Sequence, residues 1–183
     1  MENINNNKTK FYNATHYASI CKDNYAEFNK CLDELSKIEN KIGNTQKRHD
    51  LCSKQQKSGT TVIVFAAICL EAFINDYASM KLSKQLFEKI EMLGFCNKWV
   101  IVPKLVTGKE FNTSSKAFEL LRQLIKNRNE LVHPKPKLKT IDELEKENEK
   151  KQLIVKEAYE TISAVIRELH KVDNQLKLGH WVF

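Results

Sequence analysis

Along most of the chain apolar residues return every three to four positions between charged ones, the spacing of amphipathic helices rather than the alternation of strands. From about Thr15 to Gln56 there is no proline, and Ile20, Phe28, Cys31, Leu32, Leu35, Ile38 and Ile42 keep the helical interval with charges opposite. Gly43 and Asn44 weaken the middle, so one helix or two are both open. Ser58 and Gly59 are expected to break the pattern, with Thr60 or Thr61 capping the next helix. Val62 to Met80 is the most apolar segment. Its β-branched start would suit a strand, but the run is too long for one, and Ala66, Ala67, Ala72 and Ala78 favour a helix at the centre of a bundle.

Further along, Ser83 is expected to cap a short helix that carries Leu86, Phe87, Ile90, Met92 and Leu93 and closes at Gly94. Trp99 to Phe111 reads as a connection, with Pro103 and Gly108 as turn residues and its apolar groups covering one end of the bundle. Ser114 or Ser115 opens a helix through Leu120, Leu121, Leu124 and Ile125 that Pro134 ends. The residue before a proline is pushed out of the α region, so His133 is expected at or just past the helix terminus. Thr140 with Glu143 forms a capping box for a last long helix, whose apolar stripe is Ile154, Val155, Ala158, Ile162, Val165, Ile166 and Leu169.

These elements predict an all-α fold: an up-and-down bundle of four to five main helices with a short extra helix. At 183 residues, with only 5 glycines and 3 prolines, the chain is long enough for one real core and has few turn formers. Residues 1–14, rich in Asn and Lys, are expected to be a disordered leader, and 15–183 a single domain. His180, Trp181, Val182 and Phe183 would suit docking on this chain or on a second subunit.

Charge and cysteine usage narrow the function classes. A net charge of +7 favours an anionic partner such as nucleic acid, although a solvated surface has the same composition. The basic residues Lys47, Arg48, Lys54 and Lys57 fit a solvated face better than a phosphate track. Five cysteines, at 21, 31, 52, 69 and 96, show neither CxxC nor zinc-finger spacing, which points to reduced thiols and a cytoplasmic protein. Cys69, within an apolar run, is expected to be core packing. The N-terminus lacks the apolar stretch of a signal peptide, and Val62 to Leu70 is too short to span a bilayer, so no membrane association is expected.

Candidate chemistry gathers at two places. Glu71, set among Ile68, Cys69, Leu70, Ala72, Phe73 and Ile74, is expected to be buried and therefore paired or raised in pKa, with Asn75 one turn further on the same face. Its partner would be a buried arginine or a helix end as architecture, or else Arg128 or His133. Arg128, Asn129 and His133 cluster at the end of one helix, Arg128 and His133 being about 140° apart unless the last turn unwinds. The five histidines form no HExxH or adjacent set, and no glycine-rich phosphate loop or GxSxG occurs, so no metal or cofactor is assigned.

Arginine and histidine beside an amide can serve RNA cleavage. The ribose 2′-OH is an internal nucleophile, imidazole transfers protons near neutral pH, and a guanidinium holds phosphoryl oxygens bidentately. One such set is thin for both acid and base roles; a two-fold homodimer would bring two sets to a shared cleft. Lys126, Lys135 and Lys137 stand beside the set as candidate RNA contacts. Two alternatives compete: a non-catalytic helical module that binds nucleic acid or protein, and a bundle whose Arg128 only ties to Glu71.

The run RNELVH at 128–133, followed by Pro134, resembles the R-x4-6-H signature of the HEPN superfamily, and LEAFIN at 70–75 resembles the acidic helix that precedes it in several branches. KLVTGKEF at 104–111 is similar to a connection found in some members. The resemblance covers about residues 15–170. It implies a helical bundle that dimerises and a metal-independent endoribonuclease of toxin, abortive-infection or other defence systems, with an antitoxin or defence protein as a further partner. Arg128 and His133 would be the catalytic pair, Asn129 would position them, Glu71 would support or join catalysis, and the products would carry 2′,3′-cyclic phosphate and 5′-hydroxyl ends. Lys135 departs from the pattern: toxin branches paired with a nucleotidyltransferase antitoxin often carry tyrosine there, so the resemblance does not extend to a modification-based antitoxin.

Overall fold

The computed structural model describes residues 12–38, 44–133 and 140–176. They form six helices in chain order: α1 (Tyr12–Lys37), α2 (Thr45–Lys81), α3 (Lys84–Glu91), α4 (Phe95–Thr107), α5 (Lys116–Val132) and α6 (Ile141–Val172). Five are long and α3 is the short extra one, and no strand occurs among the described residues, which is the all-α bundle the periodicity predicts.

α2 is the element around which the others pack, touching α1, α3, α4, α5 and α6. Val62, Ile63, Ala66, Leu70, Phe73, Ile74 and Tyr77 are all buried on it, as expected of the most apolar segment. Facing residues complete the core: Phe28 of α1, Trp99 and Val102 of α4, Leu121 and Leu124 of α5, and Val155, Ile162 and Ile166 of α6. At about 25 cal/mol per Å² of apolar area, such burial is the main favourable contribution to folding. Tyr25 stacks on Tyr159 at 4.2 Å between ring centroids, joining α1 to α6. By length and composition α2 could cross a bilayer, its best 18-residue window having a mean hydropathy of 1.6; 56% of that window is buried inside the bundle. α2 is also longer than the expected helix from Val62 to Met80, because it continues unbroken towards its N-terminus as far as Thr45.

That continuity is the first correction. Ser58 and Gly59 do not break the chain: α2 runs through them, and Thr61 returns its hydroxyl to the Lys57 carbonyl at 2.9 Å instead of capping. Gly59 is there for packing. A Cβ on it would lie 3.0 Å from the Phe28 ring and 3.0 Å from Val155, so the missing side chain lets α1 and α6 close on the α2 backbone. The break falls earlier, between Lys37 and Thr45, so residues 15–56 belong to two helices.

The second correction is α4, where the sequence suggests a connection. Pro103 sits inside a helix, removing one backbone bond and disfavouring the α region at Val102. Burial of Lys98, Trp99, Val102 and Pro103 at helical spacing outweighs that cost. Gly108 takes the left-handed conformation, φ 74°, as the C-cap and donates its N–H to Lys104 O at 2.9 Å. Gly94 is the N-cap of α4 rather than the close of α3. The remaining caps follow the sequence: Ser83 accepts from Leu86 N, Ser115 from Phe118 N, and Thr140 with Glu143 makes the full capping box.

Of the expected leader at 1–14, residues 12–14 instead belong to α1, where Ala14 is fully buried in the core. Residues 1–11, Ile42 and Gly43, Pro134, Lys135, Pro136 and Lys137, and the tail at 180–183 lie outside the described residues.

Candidate functional site

α5 places Arg128, Asn129 and His133 at its C-terminal end because its other face is spoken for. Ala117, Leu121, Leu124 and Asn127 are buried against α2 and α6, and Gln123 donates to the Asn127 amide oxygen at 2.8 Å. This leaves Arg128 half-buried at the edge of the interface, with Asn129 and His133 exposed. His133 is the C-cap, as expected, with φ −124° and ψ 65°. Its N–H still donates to Asn129 O at 2.9 Å, so the final backbone bond of α5 is kept while the chain turns out of the helix. Arg128 Nη1 donates to Asn129 Oδ1 at 3.0 Å. Asn129 thus holds the guanidinium through its side chain and the histidine backbone through its carbonyl. The Arg128 and His133 side chains form no hydrogen bond with each other; Asn129 is what they share.

Glu71 does not occupy the expected position. It is half-buried, and among the described residues no hydrogen bond or ion pair joins it to Arg128, to His133 or to any other group. α2 carries apolar residues all round its central turns, so local sequence does not tell which flank is sealed. The α2 carboxylate held back from solvent is that of Asp76: the residue is half-buried like Glu71, but one of its oxygens is buried without a hydrogen-bond partner, and desolvation raises its pKa from 3.8 to about 6. Asn75, on the Glu71 side, accepts from Lys98 Nζ at 3.0 Å, tying α4 to α2 through a lysine only 4% exposed. A cation inside an apolar stretch such as FCNKWVIV is the available sequence signal for that tie.

Other polar groups hold the scaffold. Tyr77 donates its hydroxyl to Asp173 Oδ2 at 2.7 Å, joining α2 to the C-cap of α6, and burial followed by that bond pushes the phenol pKa up. All five cysteines are free thiols. Cys69 is buried as expected and donates to Ala14 O at 3.3 Å, and burial pushes the Cys21 thiol up to about 12, so neither is an activated nucleophile. Arg48 and Lys54 of the basic stretch are engaged locally, with Ile38 O at 3.2 Å and Glu27 at 2.5 Å, in keeping with a solvated face. Among the described residues no three His, Cys, Asp or Glu side chains come together as a metal site.

Chemically, the α5 end offers a guanidinium held by an amide, an imidazole open to solvent, and Lys126 exposed one turn before. That set can bind a phosphate and exchange a proton with a group beside it. No protein-family model, no curated protein and no solved structure matches the chain.

Proposed function

We propose that this chain is a HEPN-like endoribonuclease whose site is the end of α5. The observation that carries the reading is the linkage through Asn129, which fixes the half-buried guanidinium while leaving the His133 imidazole accessible. Arg128 would hold the scissile phosphate and neutralise the charge that builds on its oxygens. His133 would take the proton from the ribose 2′-OH or deliver one to the departing 5′-oxygen. Attack by the 2′-OH closes a cyclic phosphodiester and breaks the P–O5′ bond, leaving 2′,3′-cyclic phosphate and 5′-hydroxyl ends without a metal or cofactor. Since one imidazole cannot begin as both base and acid, a homodimer with two α5 ends in one cleft would supply the pair.

Glu71 keeps only a supporting part here, because its open flank leaves it free to meet substrate or a second subunit rather than to fix Arg128. Lys126, with Lys135 and Lys137 beyond the described helix end, would add phosphate contacts. A cytoplasmic role in toxin or anti-phage defence, with an antitoxin or defence-system protein as partner, goes with the motif resemblance and the five free thiols.

A second reading, a non-catalytic module that binds nucleic acid or protein, draws on the exposed Ile101 and Leu105, one turn apart on α4. The two readings part in one experiment: cleavage of a mixed RNA panel by wild type, His133→Ala and Arg128→Ala, after each is shown to fold. Loss of a wild-type activity by at least about 100-fold in both variants supports the enzyme. RNA binding unaffected by His133→Ala, with no cleavage by any protein, supports the module.

A further inference from the structure

α5 carries a row of exposed polar groups that extends well beyond the cleavage set. Arg122, Lys126, Asn129 and His133 follow at steps of four, three and four residues, and all four are exposed. With 3.6 residues per turn, these steps keep the four within about 60° of one another and spread them over about 16 Å of helix axis. None of the ion pairs formed among the described residues involves Arg122, Lys126 or His133. The row is therefore a line of uncompensated donors that ends at the histidine.

Its two flanks differ in kind. On one side lie Glu119 and Glu130, both exposed, with Glu119 paired to Lys116 at 3.0 Å. On the other lie Phe118 and Ile125, half-buried, and Val132, which is 49% exposed. An unpaired nucleic-acid strand has a matching cross-section, with charged phosphates along one edge and flat apolar bases along the other. A duplex would instead lay the charged backbone of its second strand over the apolar flank of Phe118, Ile125 and Val132, with no base face offered to it.

We infer that this row is a track for single-stranded RNA: Arg122 and Lys126 hold successive phosphates, the bases lie towards Phe118, Ile125 and Val132, and the strand is led to His133. The inference rests on the ribonuclease reading of the α5 end and deepens it by naming unpaired RNA as the substrate class and Arg122 as a binding residue.

The test is binding rather than cleavage, so the two ideas can fail separately. Anisotropy of a fluorescent unstructured RNA, and of the same strand in a duplex, is measured over a salt series with the His133→Ala protein as background. Adding Arg122→Gln and Lys126→Gln should weaken single-strand binding at least tenfold and flatten the log K against log salt slope by about 1.4, near 0.7 for each lost contact. Lys22→Gln with Lys30→Gln, two exposed lysines of α1, should leave the slope in place although the net charge falls equally. Equal losses from the α1 and α5 pairs, a preference for duplex, or no RNA binding would overturn the track. Wild-type cleavage with an unchanged slope in the α5 pair would overturn the track and leave the ribonuclease standing. A flattened slope with no wild-type cleavage would keep the track and remove the ribonuclease.

Discussion

Arg128 donates a hydrogen bond from its guanidinium to the side-chain oxygen of the next residue, Asn129, at 3.0 Å, while the backbone oxygen of Asn129 accepts the N–H of His133 at 2.9 Å. Because the side-chain bond is exposed, removing it should cost under about 1 kcal/mol of stability. Misplacing the guanidinium is a different matter, since an error near 1 Å in a reacting group can cost about 100-fold in rate. Asn129→Ala is therefore expected to melt like wild type and to cleave RNA about 10- to 100-fold more slowly. Circular dichroism melts alongside single-turnover kinetics check both halves.

Gly59 tests how tightly α1, α2 and α6 close. Alanine in a helix gains up to about 1 kcal/mol over glycine. Against that, its Cβ would press at 3.0 Å on Phe28 and Val155, which are 4% and 0% exposed and cannot swing aside into solvent. Overpacking of this kind costs about 1–3 kcal/mol, so Gly59→Ala should lower Tm by about 2–4 °C for each net kcal/mol lost. Gly59→Val should lower it further. A rise in Tm for the alanine variant would show that the three helices have room to part.

Tyr77→Phe should destabilise by about 1.5–3 kcal/mol, the range for a hydrogen bond to a charged group, because it leaves the buried Asp173 carboxylate without its phenol donor. Urea unfolding gives that loss directly, with an unchanged m value if the rest of the fold is intact.

Asp76 predicts a pH dependence. Its folded pKa of about 6 lies above its ordinary 3.8, so the fold favours the protonated form. That contribution is present in full below pH 3.8 and is lost as pH rises through about 6. Asp76→Asn keeps the shape and removes the ionisation, so it should raise Tm at pH 7.5 and make little difference at pH 4. A parallel benefit at both pH values would mean that ionisation is not the cause.

What is legible in the sequence is local in origin. The caps at Ser83, Ser115 and Thr140 and the helix end at His133 depend on residues within one turn of themselves, so spacing alone finds them. Gly59 reads as a break because its reason is Phe28 and Val155, far away in the chain. Pro103 reads as a turn because its cost is local while the burial of Trp99 and Val102 that offsets it is tertiary. Glu71 reads as the desolvated carboxylate for a related reason: on a 37-residue helix surrounded by five others, neighbours in sequence do not say that the oxygen shut off from solvent belongs to Asp76. The Arg128, Asn129 and His133 set is legible as a pattern, and its joining through Asn129 emerges only in three dimensions.

If the α5 end cleaves RNA through the substrate's own 2′-OH, the chemistry of the cut ends records it. The most direct measurement is therefore mass spectrometry of RNA incubated with wild-type protein in excess EDTA. The expected result is 2′,3′-cyclic phosphate and 5′-hydroxyl ends that disappear with His133→Ala. Products bearing 3′-hydroxyl and 5′-phosphate ends, or cyclic ends that persist in the His133→Ala protein, would contradict it.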